Sequence, residues 1–148
     1  MLQVILFMAA FLHHSPVLIQ KVYDVGGVDL VANVEMESNF KPWVVRNEGH
    51  GWNSFGLCQL NNHYHPQYRN DLKKHLEEGN KILLDCLRKA KGNFALAIAH
   101  YNGGTHPPAY SIRWGLKVKE KLRQICYYIV WRNNKALEVS QGWGYLKS

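Results

Sequence analysis

The sequence predicts a single, mainly α-helical domain, on three observations. Apolar residues recur at spacings of three and four along most of the chain, which is the repeat of one helix face. Few segments alternate with period two, which argues against an all-β fold. No repeat, low-complexity tract or long linker divides the 148 residues, a length that suits about one domain. A chain of this size buries about two-thirds of the surface its unfolded form exposes, enough for one core. One polar, glycine-rich stretch interrupts the helical patterns. It runs from Asn39 to Phe55 and reads as loop, with a short β segment around residues 42–56.

Taken in order, residues 2–12 are nearly all apolar. The run is too short to cross a bilayer, which needs about 20 residues. Two readings fit it. One is a signal-like segment over residues 1–14, with the folded domain at 15–148 and the protein exported. The other is an N-terminal core helix. No Lys or Arg precedes the run and no small-x-small site follows it, so two marks of an export signal are missing. Val17 to Tyr23 reads as a short helix that Gly26-Gly27 ends. Val28 to Ser38 reads as a second, with Leu30, Val31 and Val34 on its apolar face. Pro42 favours an end before it. Gln67 to Ala90 is amphipathic through Leu72, Leu76, Leu83 and Leu87, with Gly79 as a break. Phe94 to Tyr101 reads as a buried helix terminated by Gly103-Gly104 and Pro107-Pro108. Ile112 to Trp131 carries Val118, Leu122, Ile125 and Ile129 on one face. A polar tail follows from Asn133, with aromatics at Trp143 and Tyr145.

The formal net charge is +7, and it is uneven. Residues 1–70 sum to −1 and residues 71–148 to +8. A basic surface implies an anionic partner without naming it. Three cysteines are no disulfide framework. Three small buried hydrophobes is the preferred reading; if one pair bonds, Cys86 and Cys126 are the two, since both lie in helical patterns with apolar neighbours.

Glu37 is the most informative residue. The face through Leu30 and Val34 reaches Glu37 three residues on. Glu35 lies about 200° away around the helix and is expected to be solvated. Burial at the end of an apolar stripe raises a carboxyl pKa, and an acid still protonated near neutral pH is what general acid catalysis requires. The structural alternative is an acid at a helix end, bonded to loop N–H groups or paired with Arg46. Ser38 follows, able to bond back to the helix or to orient the carboxyl. Glycines at 49, 51 and 56 let backbone approach a ligand closely.

Three segments then carry a resemblance: Glu37-Ser38, Gly56-Leu57-Cys58-Gln59 and His100-Tyr101-Asn102-Gly103-Gly104. In that order they resemble the motifs of the soluble lytic transglycosylases, a family of the lysozyme-like superfamily. The similarity spans about Val17 to Trp131. Each motif alone is weak; three in order, at plausible spacings, are specific. The resemblance implies a mainly α, lysozyme-like single domain with a saccharide cleft. It implies cleavage of the MurNAc-β-1,4-GlcNAc bond of peptidoglycan without a cofactor or metal. Glu37 is then the catalytic acid and later base. Ser38, Gln59, Tyr101 and Asn102 bind substrate. The implied partners are peptidoglycan strands and a secretion or envelope-spanning machine. The implied location is the periplasm or cell envelope, with a phage particle as the alternative. Cys58 stands where the family has Met, and His100 and Gly103 where it has alanines.

Most glycosidases use two carboxylates. Between Glu37 and Gln59 only Glu48 is offered, and Ser54 stands where animal-type lysozymes carry an Asp. By the resemblance, the MurNAc acetamido group replaces the second carboxylate, and attack by the C6 hydroxyl leaves a 1,6-anhydro sugar. Hydrolysis by a lysozyme-type muramidase is the alternative reaction. Two other readings compete. His63 and His65 near His50 and Cys58 are a poor zinc set, lacking a second ligand pair. Lys117, Lys119, Lys121, Arg123 and Arg132, with Tyr127, Tyr128 and Trp131, resemble a nucleic-acid-binding mixture. They lie on the polar face of a helix, where charge is normally solvated, so no nucleic acid is expected. A cleft that holds glycan without cutting it is a further alternative.

Overall fold

The computed structural model describes residues 1–68 and 70–145, with side chains up to residue 136. Among these residues it holds five helices and a three-stranded sheet, a mainly α architecture.

Residues 2–12 form helix α1 (Leu2–Leu12), which buries Ile5, Met8, Ala9 and Leu12. It packs against α2 (Pro16–Ser38) and α5 (Ala109–Tyr145). Pro16 sits at the first helical position of α2, where its missing N–H costs nothing. The two predicted helices at 17–23 and 28–38 are halves of α2. Gly26 and Gly27 leave the helical conformation between them, with Gly27 at φ 62°. The Asn80 side-chain amide donates to the Val25 carbonyl at 3.0 Å and satisfies a group at the break. After Ser38 the chain turns at Asn39, φ 51°, whose N–H caps the Glu35 carbonyl.

Strands β1 (Val45–Gly49), β2 (Trp52–Phe55) and β3 (Leu60–Asn61) form an antiparallel sheet in that order. Arg46 pairs with Ser54, and the register shifts between Asn47 and Gly49, so Glu48 sits in an irregularity. The β content reaches further than the segment around 42–56, because β3 pairs Asn61 with Ser54.

Helix α3 (Leu72–Lys89) starts later than the amphipathic pattern at Gln67. The Asp71 carboxylate caps it by accepting the Lys74 N–H at 3.0 Å. Gln67 instead closes a turn, donating to the His65 carbonyl at 3.0 Å. Gly79 does not break α3: it is buried inside it, where a Cβ would strike Cys58 Sγ. Helix α4 (Phe94–Gly103) is capped by Asn93 and ends at Gly104. Helix α5 is longer than the pattern at 112–131 and continues through the polar stretch after Asn133. Trp143 and Tyr145 lie in its backbone, but their side chains are outside the described residues.

The main core cluster is built from α1, α2, the turn with Leu57, Cys58 and Leu60, α3, α4 and α5, and a smaller one joins Cys86, Ala90 and Ala97. A Cβ on Gly115 would land on the Ala95 carbonyl oxygen, so glycine sets how closely α5 crosses α4. Cys86 and Cys126 are not bonded: Cys86 is buried against Ala90 and Ala97, while Cys126 is exposed on α5. Helical patterns around both cysteines did not bring their side chains onto one interface.

Candidate active site

A cleft of about 960 Å³ lies between the sheet and the α4–α5 connection, lined by residues from α2, all three strands, α3, α4 and the start of α5. Glu37 reaches it from the last turn of α2. Only 3% of the residue is exposed. Trp114 Nε1 on α5 donates to Glu37 Oε1 at 3.3 Å. Arg46 Nη1 lies 3.5 Å from Oε2, and Arg46 Nη2 donates to the Glu37 backbone carbonyl at 3.0 Å. Burial pushes the carboxyl up to about 7, and Glu48 adds to the rise, while Arg46 and Trp114 oppose it. The structural alternative for Glu37, a pair with Arg46, is therefore present alongside the raised pKa, and burial outweighs it.

Glu35 is not the solvated acid expected. Its Oε2 lies 2.8 Å from His14 Nε2, joining the end of α1 to the end of α2.

The turn from Gly56 to Gln59 is held from two sides. His75 Nε2 on α3 accepts the Cys58 N–H at 3.1 Å. Burial lowers the His75 pKa, which keeps that nitrogen free to accept. Tyr101 Oη on α4 donates to the Cys58 carbonyl at 2.8 Å. Burial pushes the Tyr101 hydroxyl well above its ordinary value, so it stays a donor. The Cys58 peptide is thus fixed at both ends, and its buried thiol, pushed up by the same desolvation, packs on Gly79. This clamp holds Gln59 at φ 48°, an uncommon conformation for a residue with a Cβ. Gln59 Nε2 donates to the Gly56 carbonyl at 2.9 Å and to the Val44 carbonyl at 3.2 Å. Its Oε1 is buried and unpartnered among the described residues.

Of the five residues singled out from the sequence, Glu37, Gln59, Tyr101 and Asn102 line this cleft. Ser38 is not among its lining residues. It is buried, and its hydroxyl donates to the Val34 carbonyl at 3.1 Å. Asn102 is exposed, and its Oδ1 accepts from Ser111 Oγ at 3.2 Å. Gly103 explains its departure from alanine: a Cβ there would press on Ser111 Oγ and on Pro108. Sequence reasoning missed Trp114 and His75, each of which reaches its partner from a distant helix. Trp52 and Tyr64, which line the cleft, were also missed, whereas His63 fits the preferred reading of a surface-loop or cleft-rim histidine. There His63 stacks on Trp52 at 4.0 Å and Tyr64 meets Trp52 edge-on at 5.6 Å. Their clustering depends on the turn after β3. Among the described residues no three His, Cys, Asp or Glu side chains form a metal site.

Glu48 and Ser54 line the same cleft. The arrangement supplies one buried acid raised to about 7 and one more exposed carboxylate, beside a buried amide that braces the cleft wall. Together these can donate a proton to an ether-like oxygen of a polar ligand. Comparison of the chain with protein-family models, curated proteins and solved structures finds no match.

Proposed function

We propose that the protein is a peptidoglycan lytic transglycosylase with a lysozyme-like domain, cleaving the MurNAc-β-1,4-GlcNAc bond. The observation that carries this reading is Glu37: an almost fully buried carboxyl in a large cleft, raised by burial to about 7. Glu37 gives its proton to the glycosidic oxygen as the bond to C1 breaks. The MurNAc acetamido oxygen holds the developing positive charge at C1. Glu37, now a carboxylate stabilised by Arg46, takes the proton of the C6 hydroxyl, and O6 bonds to C1. The product is 1,6-anhydro-MurNAc, and no water enters. Trp114 fixes the carboxyl rotamer, and Gln59, bonded to the Val44 and Gly56 carbonyls, braces the cleft wall against which the sugar lies.

Digestion of purified peptidoglycan followed by mass spectrometry of the fragments tests this. The expected new ends are anhydro sugars, one water lighter than reducing ends. Glu37→Gln should lower the rate by at least about a hundredfold, the range for loss of a general acid, with the circular dichroism spectrum unchanged. Retained activity in Glu37→Gln would exclude Glu37 from the chemistry.

One observation favours a second reading. Glu48 shares the cleft with Glu37 and contributes to its raised pKa, so it is placed to activate a water. Reducing ends in the digest, abolished by Glu48→Gln, would make the protein a hydrolysing muramidase.

A further inference from the structure

Helix α1 has no charged residue, and its outer side is not covered by the fold. Leu2 is 69% and Leu6 48% exposed. Beside it runs one flank of α5. Lys117, Lys121, Gln124, Tyr128, Trp131 and Lys135 follow at alternating spacings of four and three, so they share one side of the helix. Between Lys117 and Lys135 the row contains no carboxylate. The acid of this part of α5, Glu120, lies off it and is bonded to Arg123.

The two helices meet along this flank. Phe11 stacks on Tyr128 at 5.0 Å. Lys121 Nζ lies 5.9 Å from the Phe11 ring, and the Arg132 guanidinium lies 5.2 Å from the Phe7 ring. Lys117, Lys121 and Arg132 form no ion pair among the described residues. Trp131 stands 43% exposed beside Tyr128. Cations and aromatics therefore stand together along one edge of an uncharged, apolar helix face.

We propose that α1 and the adjoining flank of α5 form a docking surface for an anionic lipid bilayer, on which the protein lies without crossing it. Charge complementarity gives the sign of the partner, since the flank is basic and α1 brings no acid to oppose it. The apolar groups decide between lipid and a soluble polyanion. A polyanion is satisfied by the lysines and leaves Leu2, Leu6 and Trp131 in water. A bilayer interface takes up leucine side chains and prefers Trp and Tyr at headgroup depth, with Lys and Arg reaching to the phosphates. No single helix is long and apolar enough to cross a membrane among the described residues; α1 and α2 reach that length only as a pair bent by 118°, and both bury apolar residues in the core. This surface is separate from the cleft and does not depend on the reaction assigned to Glu37.

Flotation of the full-length chain with lipid vesicles tests the proposal. Vesicles of phosphatidylcholine alone are compared with vesicles that also contain phosphatidylglycerol. The protein should float with the anionic vesicles and much less with the neutral ones, and binding should weaken with added salt. Lys117→Glu with Arg132→Glu should reduce the partition coefficient at least about tenfold. Leu6→Ser with Trp131→Ser should also reduce it several-fold, while leaving retention on a polyglutamate column unchanged. Circular dichroism confirms that each variant is folded. Failure to float with anionic vesicles overturns the proposal. So does binding that the Leu6→Ser and Trp131→Ser pair leaves intact, since the surface would then be a polyanion site. A doubled mass in solution, lost in that same pair, also overturns it and assigns the face to a second copy of the chain.

Discussion

At Glu37, burial and neighbouring charge pull in opposite directions. Desolvation disfavours the carboxylate, while Arg46 and the Trp114 N–H favour it, and the balance leaves the group raised to about 7. The folded chain therefore holds this proton where the unfolded chain, near the ordinary 4.5, has released it. A raised pKa contributes stability that is full below the unfolded value and is lost as pH rises through the folded one. Between pH 4.5 and about 7 the folded state loses this contribution progressively. Glu37→Gln keeps the shape and the acceptor for Trp114 and never ionises. It should be more stable than the wild type at pH 8 by up to about 3 kcal/mol, with the difference vanishing near pH 4. Denaturant unfolding of both proteins at the two pH values measures this, and a pH-independent difference would mean the carboxyl is not raised. Under the proposed mechanism, activity should fall above a pH of about 7 as the acid is lost.

Among the elements, the helix pairs around the cleft depend on a few glycines. Gly115 lets α5 cross α4 so closely that a Cβ meets the Ala95 carbonyl oxygen, which is backbone and has no rotamer to yield. Gly115→Ala gains helix propensity of about 1 kcal/mol but must separate two helices. A net loss of about 2 kcal/mol is expected, read as a lowered melting temperature. Since α4 carries Tyr101 and Asn102 to the cleft, activity should fall with it. An unchanged melting temperature would show that the crossing relaxes freely. The same scale shows where the sequence was legible. Helical repeats located most of α2 to α5, and the Gly56–Gln59 motif was visible as a motif. What holds that motif was not visible. His75 and Tyr101 lie 17 and 43 residues from Cys58, and a hydrogen bond across such a distance leaves no local pattern.

For the whole molecule, α1 is part of the core. Ile5 and Met8 are 1% and 0% exposed, and they pack with α2 and α5 in one cluster. Ile5→Ala should cost about 2–4 kcal/mol, the range for emptying a buried aliphatic site. Urea unfolding at neutral pH measures it, and a change below about 0.5 kcal/mol would mean that α1 packs loosely. The charge distribution also gains a location at this scale. Part of the surplus after residue 70 lies on the flank of α5 beside α1, away from the cleft residues.

The sequence by itself determined that the chain is mainly helical and that Glu37 ends an apolar stripe. These are properties of spacing along one chain, and the 3.6-residue repeat makes them readable. Only the tertiary structure decided that Gln59, Tyr101 and Asn102 share a cleft with Glu37 while Ser38 turns back into its helix. It alone supplied Trp114, 77 residues from the acid it holds, and put His14 against Glu35. It also left Cys86 and Cys126 apart. The physical reason is the same in each case: burial, pairing and pKa depend on which surfaces the helices bring into contact, and that choice is made by packing between elements distant in the chain.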